Sequence, residues 1–441
     1  MNKFLKISNK INPFNKEIEV DSDKSISIRC ILLASQAIGK SRISNLLESE
    51  DVVNALKSIK KLGVNYKKKK NYCEIYGYGL NSFNNKKETK IYAGNSGTLA
   101  RLILGLLVDN KNKVKLFGDK SLSMRDFSRV TEPLKRFGAI LNSNEKKLPV
   151  EITGSEFLRP INYEEKIGSA QCKSSVMLAA LKTPGITKIK AKKSRDHTEN
   201  LFKNLNIPIK ISKQLDYDYI EIEGKNNYKG FNYKVPGDIS SCSFFLVLTI
   251  LSKKSSLKIK NVNINSSRIG IINILNKMNA NIKIKNKINY KGELIGDIFV
   301  KSTNNLKAIK CPKKMNSSAI DEFLIIFLLA AKAKGISTFK DLGELNKKES
   351  PRLDIGVNFL KKIGIKTIRN HNNLKIFGNP DLNLKGKFTM KGFRKDHRVF
   401  MMTCIAALTI GGDWKIFDID SINTSFPNFI KKINKIGAKI N

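Results

Sequence analysis

The chain has 441 residues, 41% of them apolar, and a formal net charge of +43. A chain of that length can build two or three domains around sizeable cores, and it is too apolar to be a disordered polycation. Its longest apolar runs, 244–251 and 323–331, fall well short of the roughly 20 residues that span a bilayer, so no membrane segment is expected. The charge does not read as a nucleic-acid surface. Only thirteen of the 81 basic residues are arginine, and the lysines are spread along the chain among Asn and Ile, a compositional bias and not a patch. Seven of the thirteen (Arg29, Arg101, Arg125, Arg129, Arg195, Arg352, Arg398) fall in short polar motifs, where a planar fork suits an anion. Six cysteines stand singly with no Cys-x-x-Cys pair, and the three histidines share no ligand spacing. The expectation is a reduced, cytoplasmic protein without a disulfide frame or a metal site. The first residues carry charges but no apolar leader core, so no secretory signal is expected.

Taken in chain order, the predicted elements spell one unit six times. Each unit has a strand, a helix apolar nearly all round, a second strand, an amphipathic lysine-bearing helix and a short strand pair. The apolar helices begin near Lys24, Asn95, Ser169, Asp238, Ser317 and Asp396, and a helix apolar on every side must be buried. The amphipathic helices end at Leu62-Gly63-Val64, Phe137-Gly138-Ala139, Leu205-Asn206-Ile207, Met278-Asn279-Ala280, Ile363-Gly364-Ile365 and Ile436-Gly437-Ala438. Gly and Asn most readily take the left-handed conformation that closes a helix. Successive closing residues are 75, 68, 73, 85 and 73 positions apart. Three buried helices inside a shell of sheets make one body, so six make two, and their polar starts are expected to face one cleft.

The motifs sit at those starts. Asp23-Lys24-Ser25-Ile26-Ser27-Ile28-Arg29 opens the first buried helix. Ser25 and Arg29 are four apart and share a face, and the first amides of a helix lack internal partners, so the segment suits a phosphate or carboxylate. A capped helix with two solvated charges is the plainer alternative. Gly94-Asn95-Ser96-Gly97-Thr98, with Arg101 a turn later, lets backbone approach a ligand. In the loop Gly118 to Arg129, Arg125 and Arg129 could clamp an anion or form a solvated face. Ser169-Ala170-Gln171-Cys172-Lys173 leads into a third apolar run, and Arg195-Asp196-His197-Thr198-Glu199 follows a strand. Pro236-Gly237-Asp238 marks a turn midway, suited to a crossing between bodies. Asp321-Glu322 lie early in the helix expected from Ser317, where ionised groups need cationic partners. Lys348-Glu349-Ser350-Pro351-Arg352 opens another helix, Asp396-His397-Arg398 the last buried one, and Ser425-Phe426-Pro427 follows.

Seven of these motifs, in order over nearly the whole chain, closely resemble the EPSP synthase (3-phosphoshikimate 1-carboxyvinyltransferase) family of enolpyruvyl transferases. The resemblance implies an α/β fold of two inside-out α/β domains, each of three repeated units with parallel helices buried and sheets outside. One domain is inserted in the other, giving 1–22 with 239–441 and 23–238. It implies transfer of the enolpyruvyl group of phosphoenolpyruvate to the 5-hydroxyl of shikimate 3-phosphate through a tetrahedral intermediate, with no cofactor and no metal. Lys24, Ser25, Arg29, Ser169, Ala170, Gln171, Arg195, Asp321 and Lys348 would hold shikimate 3-phosphate. Lys24, Gly97, Arg125, Gln171, Arg352 and Arg398 would hold phosphoenolpyruvate. Asp321, Glu349 and Lys24 would be catalytic, Asp321 taking the hydroxyl proton and Glu349 exchanging one with the methylene carbon. The partners implied are these two small molecules, with no nucleic acid and no membrane, acting on a cytoplasmic monomer of the shikimate pathway, and Gly97 would leave room for glyphosate.

Four positions depart from the family pattern: Ser22 for Gly, Ile28 for His or Asn, Asp126 for Pro, and Pro351 for Asp. A carboxylate at Asp126, beside an anion-binding arginine, is expected to weaken phosphoenolpyruvate binding, so that Asp126→Pro would lower its KM. The rivals are a UDP-N-acetylglucosamine enolpyruvyl transferase and a noncatalytic polyanion- or nucleic-acid-binding protein. The first typically has a reactive Cys in the loop matching 118–129, where this chain has none. The second gives no reason to keep Asp321 together with Glu349.

Overall fold

In a computed structural model of the protein, residues 4–440 are described. The chain divides into two compact units. The first comprises the chain up to Asp21, Pro236–Tyr290 and the chain from Leu294 onward; the second comprises Ser22–Val235 with Lys291–Glu293. The chain opens on β1 (Phe4–Ile7) and β2 (Asn15–Glu19), both in the first unit.

The second unit holds three repeats. The elements are α1 (Lys24–Ala34), β3 (Ile38–Ser44), α2 (Glu50–Lys61), β4 (Asn65–Lys68) and β5 (Tyr72–Tyr78), then β6 (Thr89–Tyr92), α3 (Gly97–Leu106), β7 (Val114–Phe117), α4 (Lys120–Ser123), α5 (Ser128–Arg136), β8 (Ile140–Asn144) and β9 (Lys147–Thr153). The third repeat has β10 (Asn162–Glu165), α6 (Ala170–Lys182), β11 (Ile186–Lys192), α7 (His197–Asn204), β12 (Ile209–Lys213) and β13 (Tyr217–Glu223), and β14 (Asn232–Lys234) follows. Three four-stranded sheets result, ordered β14-β3-β5-β4, β6-β7-β9-β8 and β10-β11-β13-β12. Each has one parallel edge pair followed by two antiparallel pairs. Strand alternation turns one face inward, as where Ile43 pairs with Cys73 and Ile189 with Ile220, all four buried. Inside lie α1, α3 and α6, with α3 packed on both others. A Cβ on Gly105 of α3 would lie 2.2 Å from the Ser175 carbonyl oxygen of α6, so only glycine allows that approach.

In the first unit follow α8 (Ile239–Leu251), β15 (Ser256–Asn263), α9 (Gly270–Lys277), β16 (Asn281–Tyr290), β17 (Glu293–Lys301), α10 (Asn316–Ala319), α11 (Phe323–Ala331) and β18 (Gly335–Phe339). After them come α12 (Arg352–Lys362), β19 (Thr367–Asn370), β20 (Asn373–Gly378), β21 (Leu384–Met390), α13 (His397–Ile410), β22 (Gly411–Phe417) and α14 (Phe429–Lys435). The sheets are β16-β17-β15-β2, β18-β20-β19 and β1-β22-β21. The buried helices α8, α11 and α13 all touch one another. Every residue of α11 is buried, and at about 1.5–3 kcal/mol per large apolar side chain burial outweighs the weak helix propensity of Ile325 and Ile326.

All six predicted closing residues have left-handed backbones: Gly63, Gly138, Asn206, Asn279, Gly364 and Gly437 take φ of 97°, 115°, 55°, 67°, 78° and 114°. One expected helix is broken. Ile320 and Asp321 form a turn between α10 and α11, so Asp321 and Glu322 precede the apolar helix and do not ride on it. The Asp321 carbonyl accepts from Arg398 Nη1 at 2.9 Å. The tip of the β16–β17 hairpin goes with the second unit, where Glu293 is buried at 2.7 Å from His197 Nδ1 and 3.2 Å from Asn200 Nδ2.

Candidate functional site

The predicted residues form two groups, one in each unit. In the second unit the buried helix starts carry them because each start is polar and the following turns are apolar. Asp23 caps α1 by accepting from Ile26 N at 2.9 Å, and Lys24 and Ser25 in the first turn are half-buried. Lys24 Nζ lies 2.8 Å from Asp51 Oδ2, in the first turn of α2. Arg29 is 4% exposed, and its fork ties three elements together. Its Nε donates to Thr198 Oγ1 of α7 at 2.8 Å, Nη2 to Ser174 Oγ of α6 at 3.0 Å, and Nη1 to the Ser25 carbonyl at 3.0 Å. Ser174 and Thr198 share a further hydrogen bond at 2.7 Å.

Around the start of α3, Gly97, Arg101, Arg125 and Gln171 are neighbours. A Cβ on Gly97 would lie 2.7 Å from Arg101 Nη1, 3.0 Å from Arg125 Nη1 and 3.6 Å from Gln171 Oε1. Arg101 Nη1 donates to Gln171 Oε1 at 2.9 Å, and Gln171 Nε2 to Thr98 Oγ1 at 3.1 Å. Arg125 Nη2 donates to Asn95 Oδ1. Arg101 therefore belongs to this group although the sequence put it only in a motif, while Arg129 lies on α5. Asp126 is exposed, and its carboxylate accepts from Ser128 N at 2.7 Å and Ser128 Oγ at 2.6 Å, at the start of α5. Ser169 caps α6 through Cys172 N at 3.3 Å, with Ala170 and Gln171 in the first turn. Glu165 is buried behind this start and accepts from Gly168 N at 2.6 Å and Ile167 N at 3.2 Å; burial pushes its carboxyl above the ordinary value. Arg195 is half-buried in the loop before α7.

In the first unit Arg352 is the hub. It is 1% exposed, and its guanidinium meets three carboxylates. Nε donates to Asp396 Oδ2 at 2.8 Å, Nη2 to Asp396 Oδ1 at 3.2 Å and to Glu349 Oε2 at 2.5 Å, and Nη1 to Asp321 Oδ1 at 3.3 Å. Burial works to lower the Arg352 pKa, but the Asp396 and Glu349 charges outweigh it and raise it. Burial likewise pushes the Asp396 carboxyl up, yet Arg352 beside it holds it below the ordinary carboxylate value. Asp396 also accepts from Ser350 Oγ at 2.8 Å and, as the cap of α13, from Arg398 N at 3.0 Å. One carboxylate thus fixes both Arg352 and the backbone of Arg398. Asp321 faces three cations, Lys348 at 3.4 Å, Arg352 at 3.3 Å and Arg398 at 3.9 Å. A carboxylate so surrounded sits beside cations that suit an anion, the combination needed to move a proton next to a phosphorylated or carboxylated molecule.

The partners Asp51, Asn95 and Asp396 were not among the predicted site residues, nor was Glu322, 3.8 Å from Arg398 Nη1. Asp51 has a local explanation in the dipole of α2 and Asp396 in the cap of α13, so neither calls for a distant arginine or lysine when read along the chain. Caps also take one first-turn amide at five of the six buried-helix starts, so fewer free amides remain there to meet a ligand. Among the described residues no group of three His, Cys, Asp or Glu side chains is placed to hold a metal ion.

Comparison with known proteins covers nearly the whole chain. The family profile for EPSP synthase (3-phosphoshikimate 1-carboxyvinyltransferase) matches residues 8–433. A 3-phosphoshikimate 1-carboxyvinyltransferase of Ruthia magnifica subsp. Calyptogena magnifica is 40% identical over 429 residues, covering 96% of each chain. One from Vesicomyosocius okutanii subsp. Calyptogena okutanii is 38% identical over 444 residues, covering 100% of this chain and 99% of the other. The EPSP synthase of Acinetobacter baumannii superimposes with a TM-score of 0.86 at 31% identity, over 99% of both chains. With sequence and fold matched from end to end, the chain belongs to the EPSP synthase family.

Proposed function

We propose that this enzyme transfers the enolpyruvyl group of phosphoenolpyruvate to the 5-hydroxyl of shikimate 3-phosphate and releases phosphate. The observation that carries the reading is the Arg352 hub, which ties the two proposed proton carriers, Asp321 and Glu349, to one guanidinium beside Lys348 and Arg398. Asp321 takes the proton of the 5-hydroxyl as its oxygen bonds to C2 of phosphoenolpyruvate, and Glu349 gives a proton to C3. The tetrahedral adduct then loses a methyl proton back to Glu349, and its C–O bond to phosphate breaks. Lys24 shares the acid–base work at the departing phosphate. Ser25, Arg29, Ser169, Ala170, Gln171, Arg195 and Lys348 hold shikimate 3-phosphate, and Gly97, Arg125, Gln171, Arg352 and Arg398 hold phosphoenolpyruvate. For Arg352 to meet an anion, one of its present carboxylates must yield, and Glu349, the most exposed of the three, has the most room to do so. We further take 1–22 with 239–441 and 23–238 as the two functional domains, and the enzyme as a cytoplasmic monomer needing neither metal nor cofactor.

The test is phosphate release from shikimate 3-phosphate with phosphoenolpyruvate, using Lys24→Met, Asp321→Ala and Glu349→Gln as controls. Wild-type turnover that falls by about 10²–10⁴-fold in the Asp321 and Glu349 variants is expected. Absence of release by the wild type, or release with UDP-N-acetylglucosamine as the acceptor instead, would overturn the assignment. Gel filtration and cell fractionation check the monomer and its location.

A further inference from the structure

Behind Arg398 lies a series of charges that the roles above leave unused. Glu322, just before α11, is wholly buried. Its Oε1 accepts from Ser240 Oγ in the first turn of α8 and lies 3.8 Å from Arg398 Nη1. Ser240 Oγ in turn accepts from Arg268 Nη2 at 2.7 Å. That same nitrogen is 3.3 Å from Oδ1 of Asp238, the cap of α8. Glu322 Oε2 has no hydrogen-bond partner among the described residues. Charges of alternating sign thus run from Asp238 through Arg268 and Glu322 to Arg398, all within one unit.

A buried carboxylate with one oxygen unused is costly, and an apolar residue in its place would remove that cost. Packing alone therefore does not account for Glu322, whereas the position of Arg398 does. Arg398 Nη1 is held by the Asp321 carbonyl at 2.9 Å, and Nη2 lies 3.9 Å from the Asp321 carboxylate. Glu322 is the second carboxylate near this guanidinium, at Nη1 where the Asp321 carboxylate is at Nη2; without it, the attraction of Asp321 would draw the fork onto that carboxylate, occupying both the cation and the base. Glu322 supplies a competing pull on Nη1.

We propose that Glu322 is a positioning residue for Arg398, keeping its fork off the Asp321 carboxylate and open to phosphoenolpyruvate, and that Arg268 holds Glu322 in place through Ser240. The proposal rests on the reading of Arg398 as a phosphoenolpyruvate ligand. Two effects oppose each other in Glu322→Gln, which keeps the size and can still accept from Ser240. Removing a negative charge near an anion site favours binding, and releasing Arg398 onto Asp321 weakens it; the proposal holds that the second wins.

Steady-state phosphate release, with each substrate varied, reads the outcome. Glu322→Gln is expected to raise the KM for phosphoenolpyruvate roughly five- to tenfold while leaving that for shikimate 3-phosphate within about twofold. An unchanged or lowered KM for phosphoenolpyruvate overturns the proposal. Arg268→Met removes the cation behind Glu322 and is expected to lower the melting temperature. The double variant Glu322→Gln/Arg268→Met is expected to recover the melting temperature and keep the raised KM. If its KM returns to wild type together with its stability, the role is purely structural and the proposal falls. A wild type that releases no phosphate removes the reading of Arg398 and the proposal with it, whereas an active wild type with an unaffected Glu322→Gln variant removes the proposal alone.

Discussion

Gly97 has no room for a methyl group without moving two arginines. The added carbon would meet the far ends of Arg101 and Arg125, which are flexible, so the fold should tolerate it while those guanidinium groups shift, that of Arg125 being a proposed phosphoenolpyruvate ligand. Gly97→Ala is therefore expected to raise the KM for phosphoenolpyruvate about tenfold, the effect of roughly one displaced charged contact, at an unchanged melting temperature. At Asp126 the expectation from sequence needs a finer variant. Its carboxylate holds Ser128 at the start of α5, so Asp126→Pro would remove those two hydrogen bonds together with the charge. Asp126→Asn removes the charge and keeps an acceptor; it should lower the KM for phosphoenolpyruvate by about twofold, a size fitting an exposed charge, and an increase would refute the repulsion.

At the scale of elements, Asp396 joins the start of α13 to Arg352 at the start of α12. Asp396→Asn keeps a good cap but leaves Arg352 short of a buried counter-charge, and about 3–5 kcal/mol of stability should be lost in urea unfolding at neutral pH. The sign with pH follows from the lowered carboxyl: the pair's contribution is complete above the ordinary Asp value of ~3.9 and is lost as pH falls through the folded value. Wild type should therefore lose stability more steeply than Asp396→Asn on acidification, as melting scans would record. Such long-range ties mark the limit of what the sequence conveys. Helix starts and closing residues were legible because capping and left-handed backbones are decided within a few residues, as at Asp23 with Ile26 or at Gly63. Asp396 meets Arg352 across 44 positions and Lys24 meets Asp51 across 27, and nothing local distinguishes those carboxylates from ordinary acids at a helix start. The break at Ile320–Asp321 was hidden for the same reason, since its carbonyl partner Arg398 lies 77 positions on.

Over the whole molecule, the net charge of +43 must cost stability through self-repulsion among lysines. Raising the salt concentration from about 0.02 to about 0.2 M shortens the Debye length from roughly 20 Å to under 10 Å, so the melting temperature should rise; a fall would mean that ion pairs outweigh repulsion. The hairpins that finish each repeat differ in a way that bears on labelling the protein. Between β4 and β5 the turn at Lys69 and Lys70 is exposed. At the tip of the β16–β17 hairpin, by contrast, Lys291 bonds the Asn232 carbonyl and Glu293 is sealed against His197 and Asn200. A short epitope or fluorophore-bearing peptide spliced between Lys69 and Lys70 should thus leave phosphate release intact, while the same insert between Lys291 and Gly292 should abolish it. The first turn is a handle for immobilising or tracking the enzyme, and the second is a place where a single proteolytic nick would disable it.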